Sequence, residues 1–258
     1  MPNRDRRAQL VARLRQDGHA SVAVLARDLG VTPSTIRRDL SQLASSGSLV
    51  RTYGGATAST ASVGRPAQLD PRLAAKRAIA AAAADLIEDG QTIAISSGTT
   101  TLELAWRLAD RRLTVITNAL DVAAALLDRP AIELVVLGGV VRPGMHSTLG
   151  HLAELALREL RADTLFMGIG ALSSEHGLMN DSIPEILTDR ALRSAAHRCV
   201  VLADASKLGT VAPAFVFGLD RVDTLITDAG ADAREVKAIE AHGVRVIVAA
   251  DREAVATS

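Results

Sequence analysis

From Arg72 onward the chain alternates short apolar runs with amphipathic stretches of helical period, and that alternation leaves few folds open. Strands are expected at Thr92 to Ile95, Leu113 to Thr117, Ile132 to Leu137, Thr164 to Met167, Cys199 to Ala203, Thr224 to Thr227 and Val244 to Val248. Helices are expected between them, at Ala74 to Ile87, Thr99 to Leu108, Val122 to Leu127, Leu152 to Leu160, Glu185 to Ala196 and Ala233 to His242. Strands separated by helices pair in parallel, so the predicted fold class is α/β, with a mostly parallel sheet covered on both faces. Ligands of such sheets bind beyond the carboxyl ends of the strands.

The first quarter of the chain reads differently. Residues 21–40, SVAVLARDLGVTPSTIRRDL, read as two short helices around a turn at Gly30. Ser21 suits the cap of the first helix, with Val22, Leu25 and Leu29 along one apolar face; Thr32 and Pro33 suit the start of the second. On a helical wheel Ile36, Leu40 and Leu43 fall together, while Ser34, Arg38, Ser41 and Ser45 lie opposite, flanked by Arg37 and Gln42. A face of guanidinium groups and short hydroxyls suits both phosphate contact and guanine readout in the major groove. The candidate DNA-binding residues are therefore Thr32, Ser34, Thr35, Arg37 and Arg38, then Ser41 and Gln42. Gly47 ends the helix, and Ser48 to Ala56 alternates like a short β-hairpin wing carrying Arg51 and Tyr53 toward the phosphate backbone. A further helix is expected at Arg6 to Asp17, ahead of the pair.

Charge divides the chain at the same place. Residues 1–57 hold nine Arg against four Asp, a net of +5, and the neutral total leaves −5 for the rest. A basic head on an acidic body points to a polyanionic partner for the head alone. The predicted organisation is a winged helix-turn-helix at residues 1–57, a linker at 58–71 and an α/β sensing domain at 72–258. The linker segment is small, polar and Pro-containing, which fits either a flexible tether or a loop laid on the sensor surface.

Several blocks in order, TPSTIRRDLSQLASSGSLVRTYGGA, KRAIAAAAADLIEDGQTIAISSGTTTLELA, LTVITNALDVAAALL, VVLGGVVR, FMGIGAL and VVLADASKLG, resemble the DeoR family of bacterial transcriptional regulators. The resemblance covers almost the whole chain. It implies a repressor of a carbohydrate or related catabolic operon, released from its operator by a phosphorylated sugar or similar metabolite. It also implies a sensor fold like that of ribose-5-phosphate isomerase and CoA transferases. Many family members have Asp where this chain has Ser96, and a basic residue where it has Asp189. Effector identity therefore does not carry over.

The strand ends hold the candidate effector-binding residues. Ser96, Ser97, Gly98, Thr99 and Thr100 follow the first sensor strand and run into a helix, where amide groups and hydroxyls form a ready anion site. Asn118 ends the second strand and Gly138 and Gly139 the third; Gly168 and Gly170 follow the fourth. Asp204 and Lys207 follow the fifth, and Lys207 is one of three lysines in a chain with 26 Arg. A compact ammonium suits a point contact to phosphate. Arg142 adds either cleft charge or a surface salt bridge, and Asp181 and Glu185 serve either sugar hydroxyls or the dipole of the next helix.

The six His show no metal-ligand spacing, and the single Cys199 excludes an internal disulfide, so no metal, cofactor or catalytic residue is expected. No apolar run reaches the ~20 residues of a membrane span. The Arg-rich start lacks the apolar segment of a signal peptide, and a cytoplasmic protein is expected. The expected partners are double-stranded operator DNA, a phosphorylated sugar or related effector, and further copies of the chain. One such head buries little DNA surface, hence at least a dimer. Two rival readings are an isomerase-like or CoA-transferase-like enzyme with a DNA-binding appendage, and a DNA-binding protein without a ligand. The first needs a carboxylate base or a nucleophilic Glu, and no Glu stands in the Gly-rich loops.

Overall fold

Along each sensor strand successive side chains belong to opposite faces, and the core divides accordingly. Ile93, Ile95, Val115, Phe166, Val200 and Leu202 pack in one buried cluster. Their neighbours Ala94, Ile116, Leu165, Met167, Cys199 and Val201 pack in another. A strand buried on both faces is the mark of a parallel sheet with helices on either side. A computed structural model, which describes residues 10, 19–32, 34–36, 38–40, 49–52, 55–58, 70–142 and 145–250, has this build. The chain divides into two compact units, residues 1–66 and 67–258.

In the second unit seven strands form one sheet: β4 (Thr92–Ile95), β5 (Leu113–Thr117), β6 (Ile132–Val136), β9 (Ala162–Gly168), β12 (Ala196–Leu202), β14 (Thr224–Asp228) and β15 (Arg245–Ala249). Every pairing is parallel, in the order β15-β14-β12-β9-β4-β5-β6. The chain lays β5 and β6 on one side of β4, then crosses to lay β9 and its successors on the other. The winding reverses between β4 and β9. At such a switch point the connections leave in opposite directions and open a crevice at the strand tips.

Among the described residues six helices cover the sheet. Residues of α2 (Leu73–Ala84), α3 (Thr99–Arg107) and α4 (Leu120–Leu126) join the cluster of Phe166. Those of α5 (His151–Glu159), α6 (Ile186–Ser194) and α7 (Ala233–Glu240) join that of Met167. The paired strands and intervening helices agree with the sequence reading to within a few residues at the ends. The reading missed two additions at the strand tips. The hairpin β7 (Val140–Arg142) with β8 (Ser147–Leu149) follows β6. A small antiparallel sheet joins β10 (Ala171–Ser173), β11 (Gly177–Asn180) and β13 (Ala214–Phe217).

Cys199 is fully buried in β12, and burial pushes its thiol up to about 12. We expect it to stay unlabelled by a thiol-exchange reagent at pH 8, then to react when the unit unfolds. Rapid labelling of the native protein would contradict this packing.

In the first unit β1 (His19–Ser21) leads directly into α1 (Val22–Asp28). The wing strands β2 (Leu49–Thr52) and β3 (Gly55–Ala58) are antiparallel, and β1 pairs with β3 to complete a three-stranded sheet. Ser21 thus ends a strand as well as preceding a helix. The turn after α1 passes through Gly30 with φ of +63°. Residues 34–36 and 38–40 are helical, with Leu25, Ile36 and Leu40 buried. Of the expected helix at Arg6 to Asp17, only the buried Leu10 is among the described residues.

Candidate functional site

The crevice at the switch point is a real cleft of about 340 Å³. That volume lies at the small end of ligand pockets, so it suits a metabolite. Its first wall is the loop between β4 and α3. Gly98 stands at the N-cap of α3 and no side chain caps this helix end, so its leading amide groups have no side-chain partner. Ser97, Thr99 and Thr100 line the cleft beside them.

The floor is the loop after β9. Gly168 donates its amide to Ser96 Oγ at 3.1 Å. A Cβ on Gly168 would lie 3.1 Å from the Ser97 carbonyl oxygen, closer than side chains normally pack, which is why glycine stands there. Gly170 donates its amide to Asn180 Oδ1 at 2.9 Å, and Asn180 Nδ2 donates to Asp189 Oδ2 at 2.7 Å. One connected path therefore runs from the β4 tip to the opposite wall, where β11 and the start of α6 meet.

The charged groups of the cleft mostly pair with one another. Lys76, on α2, donates to Asp70 and to Thr99 Oγ1, the latter at 2.7 Å. Burial works against the Asp70 carboxylate, but the hydrogen bonds and charges of Lys76 and Arg72 hold its pKa below the ordinary value. Arg72 donates to Ser206 Oγ and lies 3.5 Å from Asp204. Asp204 itself caps the short turn that carries Lys207, accepting from the Ser206 amide. Arg142 Nη1 sits 2.8 Å from Glu185 Oε1, an attraction of charges without the alignment of a hydrogen bond. Glu185 Oε1 also accepts from Ser147 Oγ at 3.3 Å.

Asp189 stands apart. Only 7% of it is exposed, and burial together with the neighbouring Glu185 charge raises its pKa to about 7, against the pull of the Asn180 hydrogen bond.

The structure gathers most of the sequence-predicted effector residues here: Ser96 to Thr100, Gly168, Gly170, Asp204 and Lys207 all line the cleft. Ser96 is fully buried, however, and its hydroxyl accepts the Gly168 amide, so it frames the floor. Asn118, Gly138 and Gly139 do not line the cleft. They end β5 and β6, away from the switch point, and the β7–β8 hairpin closes over those tips. Asn118 Nδ2 donates to the Thr148 carbonyl at 3.1 Å, and Thr148 Oγ1 donates to that of Leu137 at 2.7 Å. Gly139 is needed because a Cβ there would lie 2.6 Å from the Leu149 oxygen.

Sequence reasoning missed Asp70, Arg72, Asn180 and Ser182 as cleft residues, and counted Lys76 without placing it. The rarity of lysine was the available signal for Lys76. Arg142, Asp181 and Glu185, left open between two roles, all line the cleft.

In the head, Thr32 Oγ1 accepts the Thr35 amide at 3.3 Å and so caps the second helix. Thr32 also lies within hydrogen-bond reach of the Ser34 and Thr35 hydroxyls. Ser34 and Arg38 are exposed and Thr35 is half-buried, while Ile36 and Leu40 pack inward. The backbone of Arg51 lies in β2. Arg37, Ser41, Gln42 and Tyr53 lie outside the described residues. Among the described residues no three His, Cys, Asp or Glu cluster to hold a metal ion, and no helix is long and apolar enough to cross a membrane.

A doubly wound sheet with a charged cleft at its switch point, on one chain with a basic helix-turn-helix, defines a ligand-sensing DNA-binding regulator. Residues 6–62 match the DeoR-like helix-turn-helix domain, and residues 72–229 match the DeoR C terminal sensor domain. The chain belongs to the DeoR family of transcriptional repressors. A relative in Escherichia coli O157:H7, named as a transcriptional repressor of the aga operon, is 36% identical over 95% of this chain and 93% of its own. The transcriptional repressor AccR of Agrobacterium fabrum is 33% identical over 88% of this chain and 90% of its own. The glycerol-3-phosphate regulon repressor of Escherichia coli K12 is 27% identical over 95% of this chain and 99% of its own. Among solved structures, ribose 5-phosphate isomerase A of Methanocaldococcus jannaschii aligns over 52% of this chain and 53% of its own. Its TM-score is 0.39 at 20% identity.

Proposed function

We propose that this repressor holds its operator through the second helix of the head and releases it when a phosphorylated metabolite fills the cleft. The observation that carries the effector half is the pairing of an uncapped helix start with the Lys207 ammonium. Among the described residues Lys207 has no carboxylate within ion-pair distance, though it lines a cleft full of charge. Amide groups, hydroxyls and one uncommitted cation are what a phosphate monoester requires. The head acts in pairs, since helix-turn-helix proteins read two half-sites, so the working form is at least a dimer acting on cytoplasmic DNA. Effector binding lowers operator affinity by a coupling of roughly 5- to 150-fold.

Thermal shift against sugar phosphates tests the effector half. A phosphorylated sugar should raise the melting temperature while the free sugar does not. Lys207→Ala should weaken that binding about tenfold or more, the scale of one charge-assisted hydrogen bond. Equal shifts in wild type and variant would remove Lys207 from the site.

Asp189 favours a second reading. A buried carboxyl with a pKa near 7 in a ligand cleft has the properties of a general base, as an isomerase needs. Turnover of ribose 5-phosphate by the purified protein, lost in Asp189→Asn, would establish the enzyme in place of the sensor. We expect none.

A further inference from the structure

Among the described residues, three of the cleft's four cations are paired with three of its five carboxylates: Lys76 with Asp70, Arg72 with Asp204, and Arg142 with Glu185. What remains is Lys207, Asp189 and the exposed Asp181. Water solvates Asp181. Asp189 is buried, and among the described residues the only hydrogen bond to its carboxylate comes from Asn180. A buried carboxylate without a cation is an unfavourable arrangement unless something supplies one. A second, independent observation marks the same wall. Ser182 lines the cleft at 5% exposure, and its Oγ is buried with no hydrogen-bond partner among the described residues. Native proteins seldom leave such a hydroxyl unmatched, so it too awaits a partner.

We propose that the effector is dipolar: a phosphate ester that also carries a protonated amino group. Its oxyanion lies against the Ser97–Thr100 loop and Lys207, and its ammonium against Asp189. This inference rests on the effector reading above and deepens it. The two uncommitted charges of the cleft have opposite sign, and a ligand carrying one of each neutralises both. An ammonium has three donors and no acceptor, so it matches the Asp189 carboxylate and the oxygens of Ser182 and Asn180. A plain sugar phosphate satisfies Lys207 and leaves Asp189 either to hold a proton or to stand charged without a counterion.

Calorimetric titration with matched ligand pairs tests the proposal. Glucosamine 6-phosphate is compared with glucose 6-phosphate, O-phosphoethanolamine with ethyl phosphate, and inorganic phosphate serves as the anchor alone. In at least one pair the amine should bind tenfold tighter or more. Asp189→Asn should shrink that preference to about twofold while keeping the affinity for the amine-free partner. Lys207→Ala should weaken both members of the pair and leave their ratio unchanged. Equal affinities within every pair, or a preference that survives Asp189→Asn, would overturn the dipolar ligand and leave the phosphate reading standing. Failure of every probe, inorganic phosphate included, would sink both.

Discussion

Replacing Arg38 with Ala should weaken operator binding by about 5- to 150-fold per half-site, with the fold of the head intact. Arg38 is exposed on a helix whose Ile36 and Leu40 are buried, so its guanidinium is free of the core and truncating it leaves no cavity. An Arg gripping guanine is worth ~1–3 kcal/mol of discrimination, and one gripping phosphate lowers affinity evenly across sequences. The two cases separate by salt. Loss of a phosphate contact reduces the slope of log affinity against log salt by roughly one, whereas loss of a base contact relaxes specificity at one position. Fluorescence anisotropy on an operator selected from random DNA measures both. Wild-type affinity and slope in the variant would remove this helix from the groove.

Asp189→Asn should make the sensor unit more stable at pH 8 and leave it nearly unchanged at pH 4. The Asp189 pKa rises from an ordinary 3.8 to about 7 on folding, so the native state prefers the protonated carboxyl. Between those values the folded chain binds a proton that the unfolded chain does not. The stability this group contributes is complete below about pH 4 and is lost as pH rises to about 7, after which it stays level. Three pKa units at about 1.4 kcal/mol each set a ceiling near 4 kcal/mol. At ~2–4 °C per kcal/mol for a unit of this size, Tm should rise by up to about 16 °C. Asparagine keeps an oxygen for Asn180 Nδ2, so the change removes charge without removing the hydrogen bond. A variant less stable than wild type at pH 8 would show that the carboxylate has a counterion after all. A more stable variant, together with the expected loss of amine preference, would make Asp189 a residue kept for recognition at a cost in stability.

The alternation of apolar runs and helical stretches was enough to place all seven strands of the sheet, because burial on both faces writes itself into composition. Strand order was not legible. Periodicity gives every strand a polar tip but does not say which tips are neighbours, and Asn118, Gly138 and Gly139 were grouped with the ligand loops for that reason. Only the crossover between β6 and β9 decides that β4 and β9 adjoin. The opposite wall was harder still. Asn180 and Ser182 reach the cleft through β10 and β11, strands of three and four residues that are too short to carry a period. Asp189 was visible only as an acid where the family commonly carries a base, and its meaning depended on finding no cation beside it. Arg72 was read only as the start of the sensing domain and Lys76 only as a helix residue, because nothing in a helical pattern reveals what its first turn abuts.

The sensor unit begins at Ala67, so Asp70, Arg72 and Lys76 come within ten residues of the seam where the chain arrives from the head. Whatever draws Lys76 from Asp70, or Arg72 from Asp204, acts on the stretch of polypeptide to which the head is tied. In the mechanism proposed above, news of an occupied cleft has only a few peptide bonds to travel before it reaches the segment that joins the two units.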